Sequence, residues 1–202
     1  MAYQGKEILH TMEGSRFYNT KTLSLAKPYM EGEILEVGSG IGTFIGQLSK
    51  MGSLTCIEID KQNLSHLKKR YSSKASIGFG DIESGEYFFP KGKKFDSLIS
   101  LNVLEHINDD KKAIKNMYNC LKKGGTAFLL TPAHMSAYGE IDKALGHYRR
   151  YTKDGLERSF TEAGFKVRKC FYFNRLGIIG WYVSGKILKQ KTINKNSLGL
   201  FN

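Results

Sequence analysis

Two stretches of this 202-residue chain concentrate residues able to do chemistry. The first is Glu36-Val37-Gly38-Ser39-Gly40-Ile41-Gly42. Alternating glycines permit a tight turn and let the backbone approach a ligand with no Cβ in the way. A dinucleotide-binding turn would want glycine at position 43, where Thr43 stands. Glu36 would repel a pyrophosphate but favours a cationic ligand. The second stretch is Gly146-His147-Tyr148-Arg149-Arg150-Tyr151-Thr152. It offers an imidazole for proton transfer and two guanidiniums that can fork a phosphate or carboxylate. The alternative is that Tyr148 and Tyr151 pack while Arg149 and Arg150 pair with acids such as Glu157. His106, in Leu104-Glu105-His106-Ile107, and His134, just after Pro132, are further imidazoles. An unperturbed imidazole titrates near pH ~6.5 and suits general-base work.

These residues need a frame, and the hydropathy pattern describes one. Short apolar runs at 33–37, 54–59, 75–79, 95–101, 126–131 and 165–173 read as strands. Helical segments are expected over 16–30, 43–51, 61–71, 109–121 and 152–163. Their stops are Pro28, Gly52, Gly124-Gly125 and Gly164, and Thr152 is an N-cap. Strands alternating with helices imply βαβ units and a mostly parallel sheet with both faces covered: a three-layer αβα, Rossmann-like sandwich. Ligands of such sheets sit beyond the carboxyl ends of the strands. Glu36, Glu58, Asp81 and Asn102 all lie at such ends.

The order Glu-x-Gly-x-Gly-x-Gly, Glu58-Ile59-Asp60, Gly80-Asp81-Ile82 and Phe95 to Ile107 resembles the class I S-adenosylmethionine (SAM)-dependent methyltransferases. The resemblance spans roughly residues 12 to 201. It implies SAM as cofactor, S-adenosylhomocysteine as product and no metal. It also implies that Glu36, Gly38, Ser39, Gly40 and Gly42 cradle the cofactor. Glu58, with Ile59 beside it, would accept from the ribose hydroxyls, and Asp60 reads as a helix N-cap. Asp81 would accept from the adenine amino group while Ile82 packs on the ring. Asn102 and Val103 would lie near the methionine moiety. Within the family, the connection holding His147, Tyr148, Arg149, Arg150 and Tyr151 lies over the active site. His147 and His106 are the candidate bases, and for His106 a structural or cofactor-proximal role competes. The His-Tyr-Arg-Arg-Tyr run is similar to small bacterial and archaeal members associated with cell-surface sugar, polysaccharide or lipid biosynthesis. An acceptor of that kind, methylated at oxygen, is the expectation. The fold implied is the class I fold, lacking the usual seventh strand.

Three segments are expected: 1–30, helical and over the active site; 31–173, binding SAM; and 174–202, apolar and basic. The formal net charge of +12 favours anionic partners, nucleic acid included. Against a nucleic-acid methyltransferase, no Asn/Asp-Pro-Pro-aromatic motif occurs and no cysteine follows a proline. A non-catalytic SAM-binding protein is the third reading. The cysteines 56, 120 and 170 form neither a disulfide framework nor a metal motif, which fits a reducing cytoplasm. Residues 174–191 could pack on the domain or lie on the inner face of a membrane.

Overall fold

A computed structural model describes residues 15–190. Residues 1–14 of the expected N-terminal segment and 191–202 of the C-terminal one, Lys191 and Lys195 among them, lie outside the described residues. The described chain forms two compact units. One comprises Thr22–Leu104 and Asp109–Leu130; the other comprises residues 15–21, Glu105–Asn108 and residues 131–190.

The first unit holds the sheet. Its strands are β1 (Glu33–Val37), β2 (Ser53–Glu58), β3 (Ser76–Asp81), β4 (Glu86–Tyr87), β5 (Phe95–Leu101) and β6 (Leu121–Leu130), in the order β4-β3-β2-β1-β5-β6. All pairs are parallel except β3 with β4. In β1 and β2 every residue after the first is buried, as expected of strands covered on both faces. Ile34, Leu54, Cys56 and Ile99 join Leu23, Ala26, Ile45, Leu48 and Leu67 in one apolar cluster. The chain leaves β1 toward β2 and β3, then returns to β1's other edge as β5. That reversal opens a crevice at the carboxyl ends of β1 and β5.

The helices of this unit include α2 (Ile45–Leu48), α3 (Lys61–Tyr71) and α4 (Asp110–Cys120), after α1 (Arg16–Ala26) at the start of the described chain. Asp60 caps α3, its side chain accepting from the N–H groups of Gln62 and Asn63. The helix expected over 16–30 leaves α geometry at Ala26 and finishes as a 3₁₀ turn, Lys27–Tyr29, where proline removes a donor. The helix expected over 43–51 shrinks to the four residues of α2. Gly46 lies inside it, at a cost of about 1 kcal/mol relative to alanine. The following turn tightens, with Lys50 N–H bonded to Gln47 and Met51 N–H to Leu48.

The second unit contains α5 (Glu140–Leu145), α6 (Lys153–Glu162) and α7 (Arg175–Trp181), continued by a π-helical turn, Tyr182–Ile187. Among the described residues no strand follows Leu130, so the strand expected over 165–173 is not formed. Its alternating pattern serves side-chain anchoring instead. Phe165 packs on Phe160 at 5.1 Å, Tyr172 stacks on His134 at 4.5 Å and Phe173 meets Tyr18 at 5.5 Å. Among the described residues no helix is long and apolar enough to cross a membrane.

Candidate functional site

The glycine turn hangs from β2. The N–H groups of Gly38 and Ser39 both donate to the Ile57 carbonyl, at 2.9 and 3.3 Å. Gly38, Gly40 and Gly42 all have positive φ (72°, 56° and 89°), which L side chains rarely adopt. Their surroundings differ. A Cβ on Gly38 would lie 2.5 Å from Val103 Cγ2, and one on Gly42 would lie 2.5 Å from the Tyr71 ring. A Cβ on Gly40 would meet nothing within 4 Å. Two glycines are therefore filled from behind, and the third leaves room for a ligand.

The contact at Gly38 gives a direct test. Gly38→Ala should cost about 1–3 kcal/mol from strained backbone and overlap. Adding Val103→Ala should recover the overlap part but not the backbone part. Urea denaturation of the single and double variants checks this.

Glu58 is buried at the end of β2. Its Oε2 accepts from Gly40 N–H at 2.7 Å and its Oε1 from Asp60 N–H at 2.8 Å. Burial raises its pKa, and the two backbone donors work against that rise. Each oxygen keeps a second lone pair, so the carboxylate can still accept from a diol. Ile59 beside it is 58% exposed, an apolar surface beyond a strand end. Asp81 ends β3, with Oδ1 accepting from Glu83 N–H at 2.8 Å, and Ile82 is buried. Asn102 follows β5 with φ 54°, a conformation asparagine tolerates, and its N–H bonds to Leu130. Glu36 is buried at the end of β1, where it accepts from the Cys56 thiol at 3.3 Å. Burial pushes its carboxyl up to about 7. Acids that can accept from hydroxyls and an amine, around a turn with open space at Gly40, fit a nucleoside that carries a cationic group.

The second unit carries the His-Tyr-Arg-Arg-Tyr run, and its centre is Asp142, a residue to which sequence reasoning assigned no role. Asp142 is fully buried in α5. Its Oδ1 meets His147 Nδ1 at 2.8 Å and Arg150 Nε at 2.7 Å. Its Oδ2 accepts from Gly139 N–H, Arg150 Nη2 and Trp181 Nε1–H at 3.0, 3.1 and 2.9 Å. Burial alone would raise this carboxyl; the bonds from His147, Arg150 and Trp181 outweigh it and hold the group at about 2. An ionised Asp142 fixes the His147 proton on Nδ1 and leaves Nε2 as the acceptor nitrogen.

Arg150 is thus committed to Asp142 and the Ala133 carbonyl, not to Glu157, and Trp181 lies 4.9 Å from its guanidinium. Arg149 donates to the Asn108 carbonyl at 2.7 Å. Tyr151 is buried, whereas Tyr148 is exposed and its N–H bonds to the Glu105 carbonyl. His106 meets His147 edge to face at 4.6 Å. Burial and the neighbouring His147 push His106 down to about 4. His134, the third imidazole, stacks on Tyr172. Glu105 has no exposure, and neither carboxylate oxygen has a hydrogen-bond partner among the described residues. Burial pushes it up to about 8. An acid directly before His106, and an acid five residues before His147, were the available signals for Glu105 and Asp142.

Comparison with known proteins adds to this geometry. Residues 9–169 match the family model described as a methyltransferase domain. A tRNA U34 carboxymethyltransferase of Campylobacter hominis is 28% identical over 131 residues, 62% of this chain and 46% of that protein. A ubiquinone biosynthesis O-methyltransferase of Pelagibacter ubique is 32% identical over 116 residues, 55% of this chain and 46% of that protein. The chain thus spans about half the length of these curated relatives. Phosphoethanolamine N-methyltransferase 2 of Haemonchus contortus, solved with SAM, shares the fold at TM-score 0.66 and 19% identity, covering 90% of this chain and 46% of that one. With the strand order, the glycine turn and the family match in agreement, the chain belongs to the class I SAM-dependent methyltransferases.

Proposed function

We propose that this chain methylates an oxygen of a small-molecule, sugar or lipid-linked acceptor, with SAM as donor. The observation that carries the acceptor chemistry is the Asp142–His147 pair, an imidazole oriented by a buried carboxylate. When bound, SAM supplies a methyl group already activated on a sulfonium. The chain's own residues then bind and orient. Glu58 accepts from the ribose hydroxyls and Asp81 from the adenine amino group, with Ile59 and Ile82 beside the base. Glu36 offers negative charge to the cationic methionine moiety, and Asn102 and Val103 border it. Holding the acceptor in line can supply roughly 7–11 kcal/mol of the barrier reduction. His147 Nε2 takes the hydroxyl proton, and Asp142 stabilises the imidazolium. His106, neutral at pH 7, the exposed Tyr148 and the half-buried Arg149 are the neighbouring contacts offered to an anionic acceptor.

The Pelagibacter ubique relative, an O-methyltransferase, supports oxygen as the acceptor atom. A peripheral position on the inner face of a membrane is supported by the α7 region. Trp181 and Gly185 face inward, Gly185 lying so close to Gly139 that a Cβ there would come within 2.6 Å of it. Ile179, Val183, Ile187 and Leu188 are exposed beside Lys186 and Lys189.

An RNA acceptor is the second reading. Its support is the tRNA-directed relative and a depression lined by Lys153, Lys166, Arg168 and Lys169. Incubation with methyl-labelled SAM and total lipid, glycan-precursor and RNA fractions separates the readings. Label in the lipid or glycan fraction is expected. Label in RNA, with a gel shift that weakens steeply with salt, would replace the first reading by the second.

The pH dependence of cofactor affinity follows from Glu36. An unfolded chain ionises this carboxyl near 4.5, the folded one near 7. Its contribution to stability is therefore complete below about 4.5 and is lost as pH rises through 7. Affinity for a cationic ligand runs the other way, rising as Glu36 ionises. Calorimetric SAM binding should strengthen between pH 6 and 8, and Glu36→Gln should flatten that profile.

A further inference from the structure

Glu105, His106 and His147 each bring a ligand atom within 4.8 Å of the others, and Glu105 is fully buried with both carboxylate oxygens unpartnered. We propose that these three side chains form a binding site for a divalent transition-metal ion of the zinc class. A buried carboxyl group without a partner is costly in either protonation state, and the proposed cation supplies the missing partner as it displaces the proton. Two imidazoles and one carboxylate suit zinc and its first-row neighbours, whereas magnesium and calcium favour all-oxygen sets. Three protein ligands leave coordination positions open, the pattern of catalytic rather than structural zinc.

The surroundings fit that role. Asp142 holds Nδ1 of His147, the carboxylate–histidine arrangement that orients metal-binding imidazoles and raises their basicity. His106 bonds through one nitrogen to the Leu145 carbonyl, which is compatible with coordination through the other. The charge of Arg150, close to Glu105, is neutralised by its two bonds to Asp142. Metal–ligand bonds of roughly 2.0–2.2 Å require the three side chains to draw in on binding. The His147 lone pair then belongs to the ion. A bound cation would replace the free imidazole in lowering the pKa of an acceptor hydroxyl, which deepens the methyl-transfer reading without depending on it.

The test uses the full chain without an affinity tag, stripped with a chelator and dialysed. Zn²⁺ is titrated in competition with a chromophoric chelator, and Co²⁺ is followed by its visible absorption. One ion per chain is expected. Glu105→Met and His106→Gln should each weaken binding by ~100-fold or more, judged against the 10–100-fold typical of outer-shell changes alone. His66→Gln, at an exposed histidine of α3, should leave it unchanged. Glu105→Met should unfold at no lower temperature than the parent, so its loss of binding is not a loss of fold. If that variant fails to fold, His106→Gln and its altered Co²⁺ spectrum decide the matter. No saturable binding by the parent chain, or undiminished binding by a folded Glu105→Met, overturns the proposal. SAM affinity measured in parallel keeps the readings apart. Intact SAM binding without ion binding removes the metal site alone, whereas ion binding without methyl transfer removes the proposed function.

Discussion

Asp142→Ala should destabilise the protein by about 3–5 kcal/mol, the cost of leaving a buried charge without its partner. The affected charge is Arg150, whose guanidinium loses its two bonds to Asp142 and, among the described residues, keeps the one to the Ala133 carbonyl. The loss reaches further than an ion pair. Gly139 N–H opens α5, His147 leads into the loop and Trp181 belongs to α7, and all three lose their acceptor. Each buried orphan adds about 1–3 kcal/mol unless water reaches it, so the figure given is the lower part of the possible range. Arg150→Met combined with Asp142→Leu should be milder than Asp142→Ala alone, because no charge is left buried. Urea unfolding of both variants beside the parent at neutral pH checks this. A loss under about 1 kcal/mol in Asp142→Ala would place the guanidinium in contact with solvent and contradict its burial.

Glu58→Ala should weaken SAM binding by about 10–100-fold, the effect of removing a charged acceptor worth about 1.5–3 kcal/mol. Two causes act together. The acceptor for the ribose hydroxyls disappears, and Gly40 N–H loses the 2.7 Å bond that fixes the middle of the turn. Glu58→Gln separates them, because its amide oxygen can still hold Gly40 while the charge is gone. An intermediate affinity is expected for that variant. Calorimetry on the two folded variants checks the order. Unchanged affinity in Glu58→Ala would remove Glu58 from the cofactor site.

The sheet and the turn were legible because both are written in neighbouring residues. Apolar runs such as 33–37 need no partner to be recognised, and Gly38, Gly40 and Gly42 announce a backbone that only glycine takes easily. Features that depend on distant partners were not legible. The run 165–173 alternates like a strand, yet a strand exists only where a neighbour completes its ladder, and here its aromatics found side chains instead. Arg149 and Arg150 are adjacent and chemically identical, yet Arg150 reaches the buried carboxylate of Asp142 while Arg149 donates to the Asn108 carbonyl. Asp142 acquires its importance from Trp181, 39 residues away in the chain. Glu105 and His106 meet His147 only after folding, so no spacing rule could have found the cluster.

The suspension of Gly38 and Ser39 from a single carbonyl, that of Ile57, has a consequence for recognition. Ile57 pairs with Val37 across the sheet, and Glu58 is the next residue along the same strand. The alignment of β1 with β2 therefore sets the receptor's shape before any guest arrives, and a one-residue slip would turn Glu58 to the opposite face. Ordering is completed during folding, so little entropy is left to lose on association. Analogues of the guest should then differ in affinity according to the groups they present, not according to how far the receptor must rearrange.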